Sequence, residues 1–181
     1  MFLRCLNVSV LVLLLLFMVP RPAGALGFQA LGVKAGINLT REQTVSQFQG
    51  VGGSFDKARV VFGSQLNLGS MFFPKLHFVP GADIILEGDL KIVSANTEFW
   101  YFFHESSKYK GYAGGGFGVH FYRFDGDQFN NETKVTLNVP LGFQRRLKGG
   151  TAWFGEMKLV IADDETDSSL QFNVGFAFGG R

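Results

Sequence analysis

The stretch Leu170-Gln171-Phe172-Asn173-Val174-Gly175-Phe176-Ala177-Phe178 constrains the fold of this chain more than any other. Its large apolar residues, Leu170, Phe172, Val174, Phe176 and Phe178, fall at every second position, with Gln171, Asn173, Gly175 and Ala177 between them. A period of two is the pattern of a β-strand with unlike faces. A soluble barrel built around an apolar ligand would turn the greasy face inward and carry charges outside. Here the polar face consists of amides and small residues, and the apolar face carries no charge. Such a strand suits lipid on one side and a tight polar lumen on the other.

The same phase recurs along the chain. Alternation predicts strands at 29–40, 57–72, 76–87, 90–103, 111–124, 133–147, 151–161 and 170–178. In the first, Leu31, Val33, Ala35, Ile37 and Leu39 oppose Gly32, Lys34, Gly36 and Asn38; in the sixth, Val135, Leu137, Val139, Leu141 and Phe143 oppose Thr136, Asn138, Gly142 and Gln144. Turn residues separate the runs, among them Pro74-Lys75, Gly88-Asp89, Asp125-Gly126-Asp127 and Lys148-Gly149-Gly150. No charge falls in the middle of any apolar face, and one at a lipid midplane costs about 2–4 kcal/mol. Eight segments of adequate length (about 9–11 residues suffice to cross at the usual tilt) predict an all-β fold, an eight-stranded antiparallel up-and-down transmembrane β-barrel. Pro80 and Pro140 lie within strands and each removes a ladder donor, so bulges or local breaks are expected there.

Residues 1–25 read as a secretory signal. Arg4 supplies the positive start, Val8 to Val19 the apolar core and Ala23-Gly24-Ala25 the cleavage site. The apolar run is too short for a membrane-spanning helix. Cleavage leaves residues 26–181 as one barrel domain and removes Cys5, the single cysteine, with every possibility of a disulfide or thiolate metal site. It also removes Arg4 and Arg21, so 15 of the 17 basic residues remain against 15 acidic ones. A neutral mature chain offers no electrostatic case for nucleic acid. The 24 glycines and 21 phenylalanines fit a crowded lumen and a lipid-facing exterior.

An N-terminus in the periplasm puts the turns at 74, 104–110 and 148–150 on the periplasmic side and 41–56, 87–89, 125–132 and 163–168 outside. Aromatic residues gather toward the periplasmic ends, notably Trp100, Tyr101, Phe102, Tyr112, Trp153 and Phe176, as an interfacial girdle would. Phe121, Tyr122 and Phe124 would form a thinner outer one. The lumen is expected to hold a structural polar network of Lys34, Arg59, Asp83, Glu98, His120, Glu156 and Lys158, with amides such as Asn96, Asn138, Gln171 and Asn173. An eight-stranded barrel is just wide enough to be filled by its side chains, and charges buried there must be paired.

With these features the mature chain resembles the small eight-stranded outer-membrane barrels of Gram-negative bacteria, the OmpA/OmpX-like and porin-family β-barrel domains. The resemblance implies outer-membrane location, contact with outer-membrane lipids, and passage through periplasmic chaperones and the barrel assembly machinery. That machinery reads a terminal signal of the form polar-x-Gly-x-x-aromatic-x-aromatic. Gln171, Phe176 and Phe178 match it, Asn173 stands where glycine would be, and Gly179-Gly180-Arg181 follow.

The function expected is structural or surface interaction through the outer loops, with 41–56 as the candidate contact for an extracellular ligand. A narrow pore for small solutes is the alternative. Two other classes stand further back. His104-Glu105-Ser106 resembles the His-x-Ser spacing of outer-membrane lipid A deacylases, but it falls in a periplasmic turn, away from the outer leaflet. A soluble calycin-like barrel requires charged outer faces and an apolar cavity, the reverse of this pattern. No catalytic residue is assigned, and neither a metal nor a cofactor is expected, because His77 and His120 lack a ligand cluster.

Overall fold

The computed structural model describes residues 26–40, 57–87, 90–106, 108–124, 132–162 and 168–179. Eight strands occupy them: β1 (Ala30–Thr40), β2 (Lys57–Asn67), β3 (Leu76–Glu87), β4 (Leu90–Glu105), β5 (Tyr109–Phe124), β6 (Glu132–Arg146), β7 (Thr151–Ala162) and β8 (Ser169–Phe178). Each pairs antiparallel with its sequence neighbours, and β1 pairs with β8 from Leu31↔Phe178 to Thr40↔Ser169, which closes the barrel. Closure leaves no unpaired sheet edge. The described terminal residues 26–29 and 179 share one end of the barrel with the connections 68–75 and 147–150 and with Ser106 and Lys108, the terminal end. The signal segment 1–25 and segment 41–56 lie outside the described residues.

The alternation sets the faces. Leu31, Val33, Ile37, Val60, Phe62, Ile84, Val135, Leu137, Val139, Phe172 and Val174 are exposed on the exterior, whereas Lys34, Arg59, Asp83, Glu98 and Lys158 are buried inside. Among the described residues, 31 large apolar side chains are exposed. In water such a belt would forfeit about 1.5–3 kcal/mol per side chain relative to burial, far beyond the apolar patches that soluble monomers carry.

Departures from the predicted strands have local causes. β2 stops at Asn67 instead of reaching 72, because Gly69 and Phe72 take positive φ of 82° and 66° and turn the chain. The Gly69 N–H donates to Asn67 Oδ1 at 2.9 Å, fastening that turn. β4 and β5 run further than expected, since their register shifts by one residue between Phe102 and His104 and pairing resumes to Glu105↔Lys110. Both prolines interrupt one ladder only. β3 holds continuous register with β4 through Pro80↔Thr97, while its strand pairing with β2 ends at Gly81. β6 pairs with β7 through Pro140↔Lys158, while its pairing with β5 skips Val139 and Pro140 without a register change. A residue in an antiparallel sheet directs its N–H to one neighbour, so each missing donor breaks one side.

Candidate functional site

The lumen is layered. Along β4 the inward side chains run Ile92, Ser94, Asn96, Glu98, Trp100 and Phe102 from the loop end to the terminal end. β3 repeats the order with Ile85, Asp83 and Val79. An apolar cluster of Val61, Ile85, Ile92 and Tyr122 therefore closes the loop side. Another, of Val79, Trp100, Phe102 and Tyr112, closes the terminal side. Asp83 on β3 and Ser94, Asn96 and Glu98 on β4 lie between them.

Five of the predicted lumen residues form one connected ion network. Lys34 Nζ stands 3.2 Å from both Asp83 Oδ1 and Glu156 Oε1. Lys158 Nζ stands 2.7 Å from Glu98 Oε1, 3.4 Å from Asp83 Oδ2 and 3.9 Å from Glu156 Oε1. Two cations thus sit among three carboxylates. Neutral donors reach two of the carboxylates as well. Asn96 Nδ2 donates to Asp83 Oδ2 at 3.0 Å, and Asn173 Nδ2 to Glu156 Oε1 at 3.3 Å. Asn138 Nδ2 donates in turn to Asn96 Oδ1 at 2.8 Å. Charges removed from water are tolerated only with this degree of pairing.

Arg59 and His120, the other two predicted members, are buried nearer the loop end. Arg59 is cross-strand from Asn38, and His120 is cross-strand from Ser94 with its ring 6.3 Å from Tyr122.

The girdle needs correction at Trp100 and Tyr112. Both face the lumen, at 1 % and 0 % exposure, with rings stacked at 4.0 Å. Phe102 and Tyr122 also turn inward. Strand phase is the physical reason: Trp100 has the parity of Asn96 and Glu98, and Tyr112 that of Gly114, Gly116 and Gly118. Glycine on the adjacent strand makes the room: Gly142 of β6 is the cross-strand partner of Tyr112, and a Cβ there would lie 2.4 Å from its ring. Each ring then serves the ion network. Trp100 Nε1 donates to Glu98 Oε2 at 2.9 Å, and the Tyr112 hydroxyl donates to Glu156 Oε2 at 3.0 Å. Sequence reasoning missed these two donors, although residue parity could have found them. It also missed Lys134, which is buried beside the Tyr122 ring at 5.9 Å.

The other girdle residues lie on the exterior: Tyr101 and Phe176 are exposed, and Trp153 packs edge-on against Phe143 at 5.1 Å. In the predicted assembly signal, Gln171 is buried while Phe176 and Phe178 are exposed. The Ser106 hydroxyl is engaged in its own turn, donating to the Tyr109 carbonyl at 3.2 Å and accepting from the Tyr109 N–H at 3.0 Å. Among the described residues no group of three or more His, Cys, Asp or Glu is placed to hold a metal. A cavity of about 350 Å³ opens at the terminal end, lined by His77, Phe102, Lys110, Gln144 and Arg146 among others.

No protein-family model matches the chain, and no curated protein matches it in sequence. Solved structures do. Neisserial surface protein A aligns with a TM-score of 0.66 at 14% identity, covering 84% of this chain and 97% of that one. The N-terminal β-barrel domain of Pseudomonas aeruginosa OprF aligns with a TM-score of 0.57 at 10% identity, covering 84% and 99%. Ail, the attachment invasion locus protein of Yersinia pestis, determined with the heparin analogue sucrose octasulfate, gives 0.55 at 12% identity, covering 82% and 97%. All three are small eight-stranded outer-membrane β-barrels. At these identities the likeness is one of fold, and this chain has the fold of that class.

Proposed function

We propose that this protein is an integral outer-membrane β-barrel whose lumen is closed by its own side chains and which acts at the cell surface through its outer segments. The carrying observation is the inverted polarity: an apolar exterior around a core of paired charges. The chain enters the periplasm behind a cleaved leader, is escorted by chaperones and is inserted by the barrel assembly machinery at the β8 signal. The terminal end, with the short turns, faces the periplasm, as such barrels place their short turns. Two of the similar structures are a surface protein and an attachment–invasion protein, which speaks for surface recognition, with residues 41–56 as the candidate contact. The barrel performs no catalysis.

A narrow channel is the second reading. It is favoured by the buried amide oxygens of Asn38, Gln171 and Asn173, which have no hydrogen-bond partner and mark a less satisfied strip along β1 and β8. Planar-bilayer recording of the reconstituted barrel separates the two. A closed lumen gives no steady conductance, and reproducible ohmic steps would replace the plug with the channel.

A further inference from the structure

Charge is distributed unevenly along the sequence between the segments that join the strands. The sequence segments 41–56, 87–89, 125–132 and 163–168 carry 11 of the chain's 15 acidic residues. The terminal rim, at the β4–β5 and β6–β7 turns, is cationic. Lys108, Arg145, Arg146 and Lys148 are all exposed there. Glu105 is the one acidic residue nearby among the described residues, and it is already shared between Lys110 and Arg146.

The turn geometry concentrates these cations. The Arg146 N–H donates to the Lys108 carbonyl at 2.8 Å, which joins the two turns side by side. Arg145 has the parity of Leu141 and Phe143, so it continues the apolar exterior face of β6. It lies cross-strand between Tyr109 and Trp153, with its guanidinium 5.6 Å from the Tyr109 ring centre. A cation held in a row of interfacial aromatics sits where headgroup phosphates lie. A soluble periplasmic partner would have to reach the lipid-facing wall to meet it.

We propose that the Lys108, Arg145, Arg146 and Lys148 rim is a docking surface for anionic phospholipid of the periplasmic leaflet. The phosphate faces Arg145 and its neighbours, and the acyl chain runs along Phe143 and Trp153. The inference rests on the outer-membrane reading above, which sets this rim at headgroup depth.

The full mature barrel, reconstituted in phosphatidylethanolamine vesicles, tests it through tryptophan quenching by lipids brominated on their acyl chains. Trp153 faces the lipid beside the rim, whereas Trp100 is enclosed in the lumen and gives a constant background. Brominated phosphatidylglycerol should quench with about fivefold higher relative affinity than brominated phosphatidylethanolamine, the scale of one effective basic contact at a membrane surface. The preference should fall toward unity in an Arg145→Gln/Arg146→Gln/Lys148→Gln variant, and with added salt. Lys75→Gln, a charge removed from the β2–β3 turn, should leave it intact. Equal quenching by both lipids, or a preference that survives the triple substitution, overturns the docking surface alone. Absence of quenching by either lipid overturns the membrane reading with it.

Discussion

Replacing Lys158 by methionine tests whether the lumen is dry enough to act as a plug. Its ammonium lies within 4 Å of three carboxylates, those of Glu98, Asp83 and Glu156, and the Lys158 and Glu98 side chains are 2 % and 3 % exposed. Lys158→Met keeps the stem and removes the charge, leaving Lys34 alone against three acids. Removing one partner of a buried pair costs about 3–5 kcal/mol, because the remaining charge is stranded. Exposed pairs are worth about 0–1 kcal/mol, and a water-filled pore would bring the loss toward that range. The assay is urea unfolding of the barrel in lipid vesicles, followed by tryptophan fluorescence and by the folded and unfolded bands on a gel. Glu98→Gln added to Lys158→Met should recover part of the loss, since it removes the nearest stranded carboxylate. A loss below about 1 kcal/mol, with no recovery in the double variant, would refute the reasoning.

Three further substitutions probe the packing and the exterior. Tyr112→Phe deletes the hydroxyl that donates to Glu156 at 3.0 Å and should lower stability by about 1.5–3 kcal/mol in the same titration; an unchanged midpoint would mean that water replaces it. Gly142→Ala places a methyl 2.4 Å from the Tyr112 ring and 2.7 Å from the Gly155 carbonyl, so a loss of about 1–3 kcal/mol or reduced assembly yield is expected, and wild-type yield and stability would contradict the close approach. Val174→Lys sets a charge on the exterior of β8 at a side chain 65 % exposed. In a bilayer it should cost about 2–4 kcal/mol, whereas a barrel in water would change by within about 0.5 kcal/mol.

Most of the strand plan was legible because a strand with lipid on one side and a packed lumen on the other leaves no freedom of phase. Val135 to Phe143 and Leu170 to Phe178 could be assigned to faces from alternation alone, and the structure sets both runs outward. The aromatic residues near strand ends were harder, because two demands attract them to the same positions. Tyr101 and Phe176 serve the exterior, while Trp100 and Tyr112 fill the lumen; nearness to a strand end does not separate these cases, and parity does. The set of lumen charges followed from the inward faces, but their partners did not. Lys34 meets Glu156 across 122 residues of sequence, a contact set by the stagger and tilt of the strands around the barrel, which no local pattern encodes. Alternation alone carries β2 on to 72, whereas the positive φ at Gly69 and Phe72 ends the strand at Asn67.

The most direct measurement is the gel mobility of the membrane-extracted protein with and without boiling, run beside fractionation of the cell envelope. A closed lipid-facing barrel resists detergent, so an integral outer-membrane protein shows a boiling-dependent shift confined to the outer-membrane fraction. A protein recovered from the soluble periplasm, migrating identically in both lanes, would contradict the membrane barrel.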